Sequence, residues 1–161
     1  MKKILLFVFY IAISCHVSTV KAQGNADALM KQGQEFMANK EYVKARSTFL
    51  HAFNAFVAKG QSDKATYCGT RVASLYYREN YYKEAFDILR AADQCIVQGE
   101  QRNNSQRPDL RYATTKERLQ MYTRMRKASS AAEQINRLDA YANAAANDSL
   151  NKDLLYTKAS H

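Results

Sequence analysis

Residues 33–52 read GQEFMANKEYVKARSTFLHA, and residues 73–92 read ASLYYRENYYKEAFDILRAA. The two stretches agree position by position. A small residue, Gly33 or Ala73, stands three before an aromatic, Phe36 or Tyr76. Nine after the aromatic comes an alanine, Ala45 or Ala85, and four after that a large apolar residue, Phe49 or Leu89. Tyr42 and Tyr82, then Ala52 and Ala92, keep the same register. Within each stretch apolar residues recur at i, i+3, i+4 and i+7, the period of an amphipathic helix. Asn39-Lys40-Glu41 and Glu79-Asn80 interrupt that period, so each stretch is expected to form two helices joined by a turn. A third, weaker copy runs through Leu119, Tyr122, Ala131, Ile135 and Leu138, with Leu119 where the small residue stood.

The residue types suit the geometry. Paired helices approach closely only where side chains are small, which Gly33, Ala45, Ala73, Ala85 and Ala131 supply. Phe36, Tyr76 and Tyr122 are then expected to fill the wedge between partners. One hairpin cannot bury its apolar face alone, whereas stacked hairpins share a continuous core.

These residues resemble the tetratricopeptide repeat family, whose pattern W-x-x-L-G-x-x-Y, A-x-x-x-F, P spans about 34 residues. The first copy matches with Leu29, Gly33, Phe36, Ala45 and Phe49, with Val57 at the proline position. The second matches with Ala73, Tyr76, Ala85 and Leu89, with Gly69 at the Leu29 position and Val97 at the proline position. The resemblance covers residues 26–142 and implies an all-α, right-handed α-solenoid. About three helix-turn-helix hairpins are expected, near 26–58, 63–97 and 109–145, with a last helix near 149–161. The departures are the missing Trp and Pro and a longer repeat: Gly33 to Ala73 is 40 residues and Ala73 to Leu119 is 46. Insertions between hairpins are expected to absorb the excess, at residues 59–63 and at the polar stretch Gln98–Pro108. Pro108-Asp109 can open the following helix. Asn147-Asp148-Ser149 is a capping cluster for the last one. That helix either begins an unfinished fourth hairpin of a longer protein or is itself the terminal cap, and Leu154, Leu155 and Tyr156 would be poorly covered.

The chain has 161 residues, 47% of them apolar and 24% charged, with one Pro, five Gly and no Trp. That length suits one domain. So few Gly and Pro disfavour a many-turned β fold, and eleven Tyr with seven Phe argue against disorder. Residues 1–22 have the order of a secretory signal peptide: a cationic Met1–Lys3, an apolar run from Ile4 to Ser14, and Val20-Lys21-Ala22 before the expected cleavage. The run is short for a membrane span, which needs about 20 residues. An uncleaved anchor and a lipid on Cys15 are the alternatives. Three of the 24 basic residues, Lys2, Lys3 and Lys21, fall in this leader, leaving 21 against 15 acidic residues and a net charge of +6. The expected location is exported, periplasmic or on the periplasmic side of a membrane.

No phosphate-binding glycine loop, dinucleotide fingerprint, zinc motif or nucleophile elbow occurs. His51 is the only histidine inside an expected hairpin, too few for a metal site or a triad. The expectation is a non-catalytic chain without cofactor or metal. Arg102, Arg107, Arg111, Lys116, Arg118, Arg124, Arg126, Lys127 and Arg137 crowd the C-terminal half, but export removes most nucleic acid from reach, leaving proteins and peptides, acidic ones included.

By the resemblance, the first helix of each hairpin lines a concave groove. Projection places Met30, Gln34 and Met37 there, then Tyr67, Thr70, Ser74, Tyr77 and Arg78, then Lys116, Gln120, Thr123 and Arg124, with no acid except near Asp27. Gln34, Met37, Tyr77, Arg78, Lys116, Gln120 and Arg124 are the leading candidates for contact with an extended or acidic peptide. The carboxylate clamp of chaperone-binding members is not matched, since Met30, Gln34, Arg71 and Ala113 stand at its positions. Cys68 and Cys95, at ends of paired helices that meet, could form a disulfide if their Cα atoms come within about 7 Å. Exported arrays of this type resemble the periplasmic input regions of sensor histidine kinases. A stand-alone, periplasmic or lipid-anchored scaffold is the alternative.

Overall fold

The computed structural model describes residues 25–160. The leader, Cys15 and His161 lie outside them. All regular structure among the described residues is helical. Seven helices follow one another: α1 (25–38), α2 (Tyr42–Ala58), α3 (Ser62–Arg78), α4 (Tyr82–Asn103), α5 (Pro108–Arg124), α6 (Ala128–Ala145) and α7 (Asp148–Ala159). Pro108, the only proline, opens α5, where its missing N–H costs nothing.

One corner recurs four times. At residues 39–41, 59–61, 79–81 and 125–127 a helix ends through a left-handed residue: Lys40 at φ 61°, Gly60 at 64°, Asn80 at 67° and Arg126 at 57°. The next N–H reaches back to an aromatic residue's carbonyl: Glu41 to Phe36 at 2.9 Å, Gln61 to Phe56 at 3.0 Å, Tyr81 to Tyr76 at 3.0 Å and Lys127 to Tyr122 at 2.9 Å. This is the Schellman closure, which satisfies carbonyls a helix end leaves open. Four residues into the next helix stands an alanine. Ala45, Ala65 and Ala85 are fully buried, while Ala131 is half-buried on α6, whose main neighbours are α5 and α7 alone.

Two expected insertions are corrected by this pattern. Residues 59–63 are not a loop; they hold the same three-residue corner and the start of α3. The 40-residue repeat comes from 17-residue helices joined by tight corners. Likewise, most of Gln98–Pro108 is helix, because α4 continues to Asn103. Its polar side chains are not a solvated loop but tie elements together. Arg102 Nη2 donates to the Gly60 carbonyl at 2.9 Å, Glu100 accepts the Arg107 N–H at 2.7 Å and pairs with Arg111, and Arg107 pairs with Asp63. Gly99 is buried with Ser62 Oγ so close that a Cβ would meet it at 2.7 Å.

Helix α3 is flanked by α2 and α4 and also touches α5; α5 packs on α6, and α6 on α7. The close approach expected at Gly33 is present, since a Cβ there would lie 2.9 Å from the Phe49 ring. Phe49, Phe53, Phe56, Val72, Leu75, Cys68 and Cys95 centre the first core. Met121 of α5 reaches into a second core beside Tyr77, Ala85 and Leu89. The third gathers Tyr112, Leu119, Leu138, Ala142 and Leu154. Phe36, Tyr76 and Tyr122, expected to fill wedges, are half-buried. On α7, Asn147 Oδ1 caps the helix by accepting from Ser149 N at 2.9 Å, and only Leu154 is buried; Leu155 and Tyr156 are 68% and 77% exposed.

Candidate functional site

Helices α1, α3, α5 and α7 are joined in succession by tyrosine hydroxyls. Gln34 Nε2 donates to Tyr67 Oη at 3.0 Å, linking α1 to α3. Tyr77 Oη donates to Gln120 Oε1 at 2.5 Å, linking α3 to α5. Tyr112 Oη donates to Asp153 Oδ2 at 2.8 Å, linking α5 to α7. Each phenol supplies an apolar body for packing and a polar tip that needs a partner when buried. Four of the sequence candidates, Gln34, Tyr77, Gln120 and Lys116, therefore lie at helix-to-helix junctions.

Their surroundings differ. Tyr77 is buried, and burial, followed by the nearby Glu117 carboxylate, pushes its phenol pKa up. Arg78 lays its guanidinium over the Tyr42 ring at 4.2 Å, a cation–π contact. Arg124 Nη2 donates to the Arg78 carbonyl at 3.4 Å, so the two candidate arginines meet at the C-terminal end of α3. Lys116 is engaged by Asp153, with Nζ 2.5 and 2.7 Å from its two carboxylate oxygens. Burial raises the Asp153 pKa, but hydrogen bonds from Lys116 and Tyr112 outweigh it and hold the carboxyl below its ordinary range. Met30 and Met37 are half-buried and pack against the first core.

Glu117 is the residue that sequence reading missed, and it corrects the expectation of a face without acids beyond Asp27. Its carboxyl sits beside Arg71, Lys116 and Tyr77, and Oε2 is buried without a hydrogen-bond partner. Burial pushes its pKa up to about 7, the two cations offsetting part of the rise. The signal was available: Glu117 lies 46 residues after Arg71, the same offset that separates Ala73 from Leu119. Arg71 in turn lies over the Tyr67 ring at 5.2 Å. Asp27 pairs with Lys64 at 2.6 Å.

Much of the basic C-terminal half is internally paired. Arg118 bonds Asp93, which also accepts from Thr114 at 2.8 Å; Arg107 pairs with Asp63 and Asp109; Arg137 pairs with Glu133. Cys68 and Cys95 are both buried free thiols. Burial, aided by Asp27, pushes the Cys68 thiol up to about 12, and burial raises Cys95 too. In both, burial disfavours the thiolate, the reactive form.

Comparison with protein-family models, with curated proteins and with solved structures finds no match to this chain.

Proposed function

We propose that this chain is an exported, non-catalytic helical-repeat module of the tetratricopeptide type. In this reading its hairpins stack as a right-handed solenoid, and the face shared by α1, α3 and α5 takes an extended peptide. The observation that carries the proposal is the tyrosine-hydroxyl linkage repeated from α1 through α7. The exposed guanidiniums of Arg71 and Arg78 on α3 and Arg124 on α5 support the same reading. The exposed Gln34 amide can meet an extended backbone, while exposed Arg78 and Arg124 give charge-assisted bonds to acidic side chains.

The test is selection of peptides from a random library on the purified chain. An enriched acidic consensus is expected, bound at least tenfold more weakly by the Arg78→Glu, Arg124→Glu double variant with helical circular dichroism unchanged. Absence of a consensus, or binders indifferent to both charge reversals, would refute the reading. Export is checked separately: secreted protein should begin at Gln23.

A further inference from the structure

The junctions between successive hairpins can be compared residue by residue, because second helices are offset by 40 residues and the following first helices and corners by 46. At the first junction Arg46 of α2 lies over the rings of Tyr76 at 4.8 Å and Tyr81 at 5.9 Å, and pairs with Glu79. One cation, one carboxylate and two rings thus complete each other. At the second junction Phe86 replaces Arg46, Tyr122 replaces Tyr76, Met125 replaces Glu79 and Lys127 replaces Tyr81. The plugging guanidinium is gone, and so is the acid of the corner.

What remains is a cleft of about 440 Å³ lined by Lys83, Phe86, Asp87, Arg90, Arg118, Tyr122 and Lys127. That volume lies in the range of small-ligand sites, roughly 300–1,000 Å³. Phe86 and Tyr122 form its aromatic wall, ring centroids 5.2 Å apart and tilted by 45°. The charges do not balance. Asp87 answers both Lys83 at 2.9 Å and Arg90 at 3.1 Å, and Asp93 answers Arg118 at 2.5 Å. No carboxylate among the described residues pairs with Lys127. Four cations therefore face two carboxylates. The missing complement is negative, and the wall beside it is aromatic.

We propose that the cleft between α4, α5 and the α5–α6 corner binds an anion, phosphate or carboxylate, carried on an aromatic group. Arg118 and Lys127 meet the anion, Lys83 and Arg90 rim it, and Phe86 and Tyr122 take the ring. Arg118 and Tyr122 are offset by two residues from Lys116 and Gln120, which puts them on the far side of α5 from the proposed peptide face. This site goes beyond the peptide-binding reading and stands without it.

The test is NMR titration of the purified full chain with phenyl phosphate, phenylacetate and inorganic phosphate. Saturable shifts centred on Phe86, Tyr122 and Lys127 are expected with both aryl anions, at least tenfold tighter for phenyl phosphate than for inorganic phosphate. Lys127→Glu should weaken binding at least tenfold. Lys152→Glu, the same charge change at an exposed residue on α7, should leave it unchanged. Lys127 is exposed at the start of α6, so its variant is expected to fold, as helical circular dichroism would verify. Lack of saturation, equal binding of inorganic phosphate, or equal loss in both lysine variants would overturn the proposal.

Discussion

Replacing Glu117 by Gln isolates the energetic effect of one buried carboxyl. In the folded chain Glu117 has its pKa pushed up to about 7, against an ordinary value of 4.5. Below the ordinary value both folded and unfolded states hold the proton, and the group makes no pH-dependent contribution. Between 4.5 and 7 the unfolded chain releases its proton while the folded chain keeps it, so stability falls as pH rises. Above 7 both are ionised and the whole penalty is present, about 3 kcal/mol from about 1.4 kcal/mol per pH unit. The facing groups Arg71, Lys116 and Tyr77 remain in the variant. Depressed carboxyls such as Glu100, Asp109 and Asp153 act in the opposite sense, adding stability that is lost on acidification, but they are common to both proteins. Urea unfolding followed by circular dichroism, at steps from about pH 4 to about pH 8, measures the difference between variant and wild type. It should move in the variant's favour by about 3 kcal/mol over that range. A difference that stays flat to within about 0.5 kcal/mol would refute the buried-carboxyl argument.

Other outcomes follow from the corners and the cores. Arg126→Gly should raise stability by about 0.5–1 kcal/mol in thermal unfolding, because its φ of 57° costs a side chain what glycine avoids. Gly60→Ala should lose at least about 1 kcal/mol, since its φ is 64° and a Cβ would displace the Arg102 guanidinium that bonds the Gly60 carbonyl. Ala85→Arg should cost about 3 kcal/mol or more in chemical denaturation, because it forces a charge into a fully buried site; a wild-type midpoint would contradict that packing. Asp153→Asn weakens both the Lys116 and Tyr112 links to α7, so amide exchange there should quicken while α2 and α3 stay protected.

The amphipathic period, the alanine nine after each aromatic, and the scarcity of Gly and Pro were enough to read an all-helical chain and most helix starts. These are local properties: helical period and corner chemistry are carried by neighbouring residues. Phe56, Gly60 and Ala65 show how far that reading could have gone, since they repeat the same corner between hairpins where an insertion was expected. Residues 98–103 marked its limit. Their polarity reads as a loop, and only packing against the start of α3 and pairing with Gly60, Arg107 and Arg111 makes them the last turns of α4. The candidate face was legible as a set of positions, but not as a set of states. Lys116 lies in sequence like a free cation, yet Asp153, 37 residues on, engages it. Glu117 looks like an ordinary surface acid until α3 brings Arg71 and Tyr77 beside it and removes water. The sequence by itself determined the helices and their repetition, because those depend on short-range spacing. Only the tertiary structure decided which charges are paired, buried or left over, because desolvation and Coulomb energy depend on distances between helices.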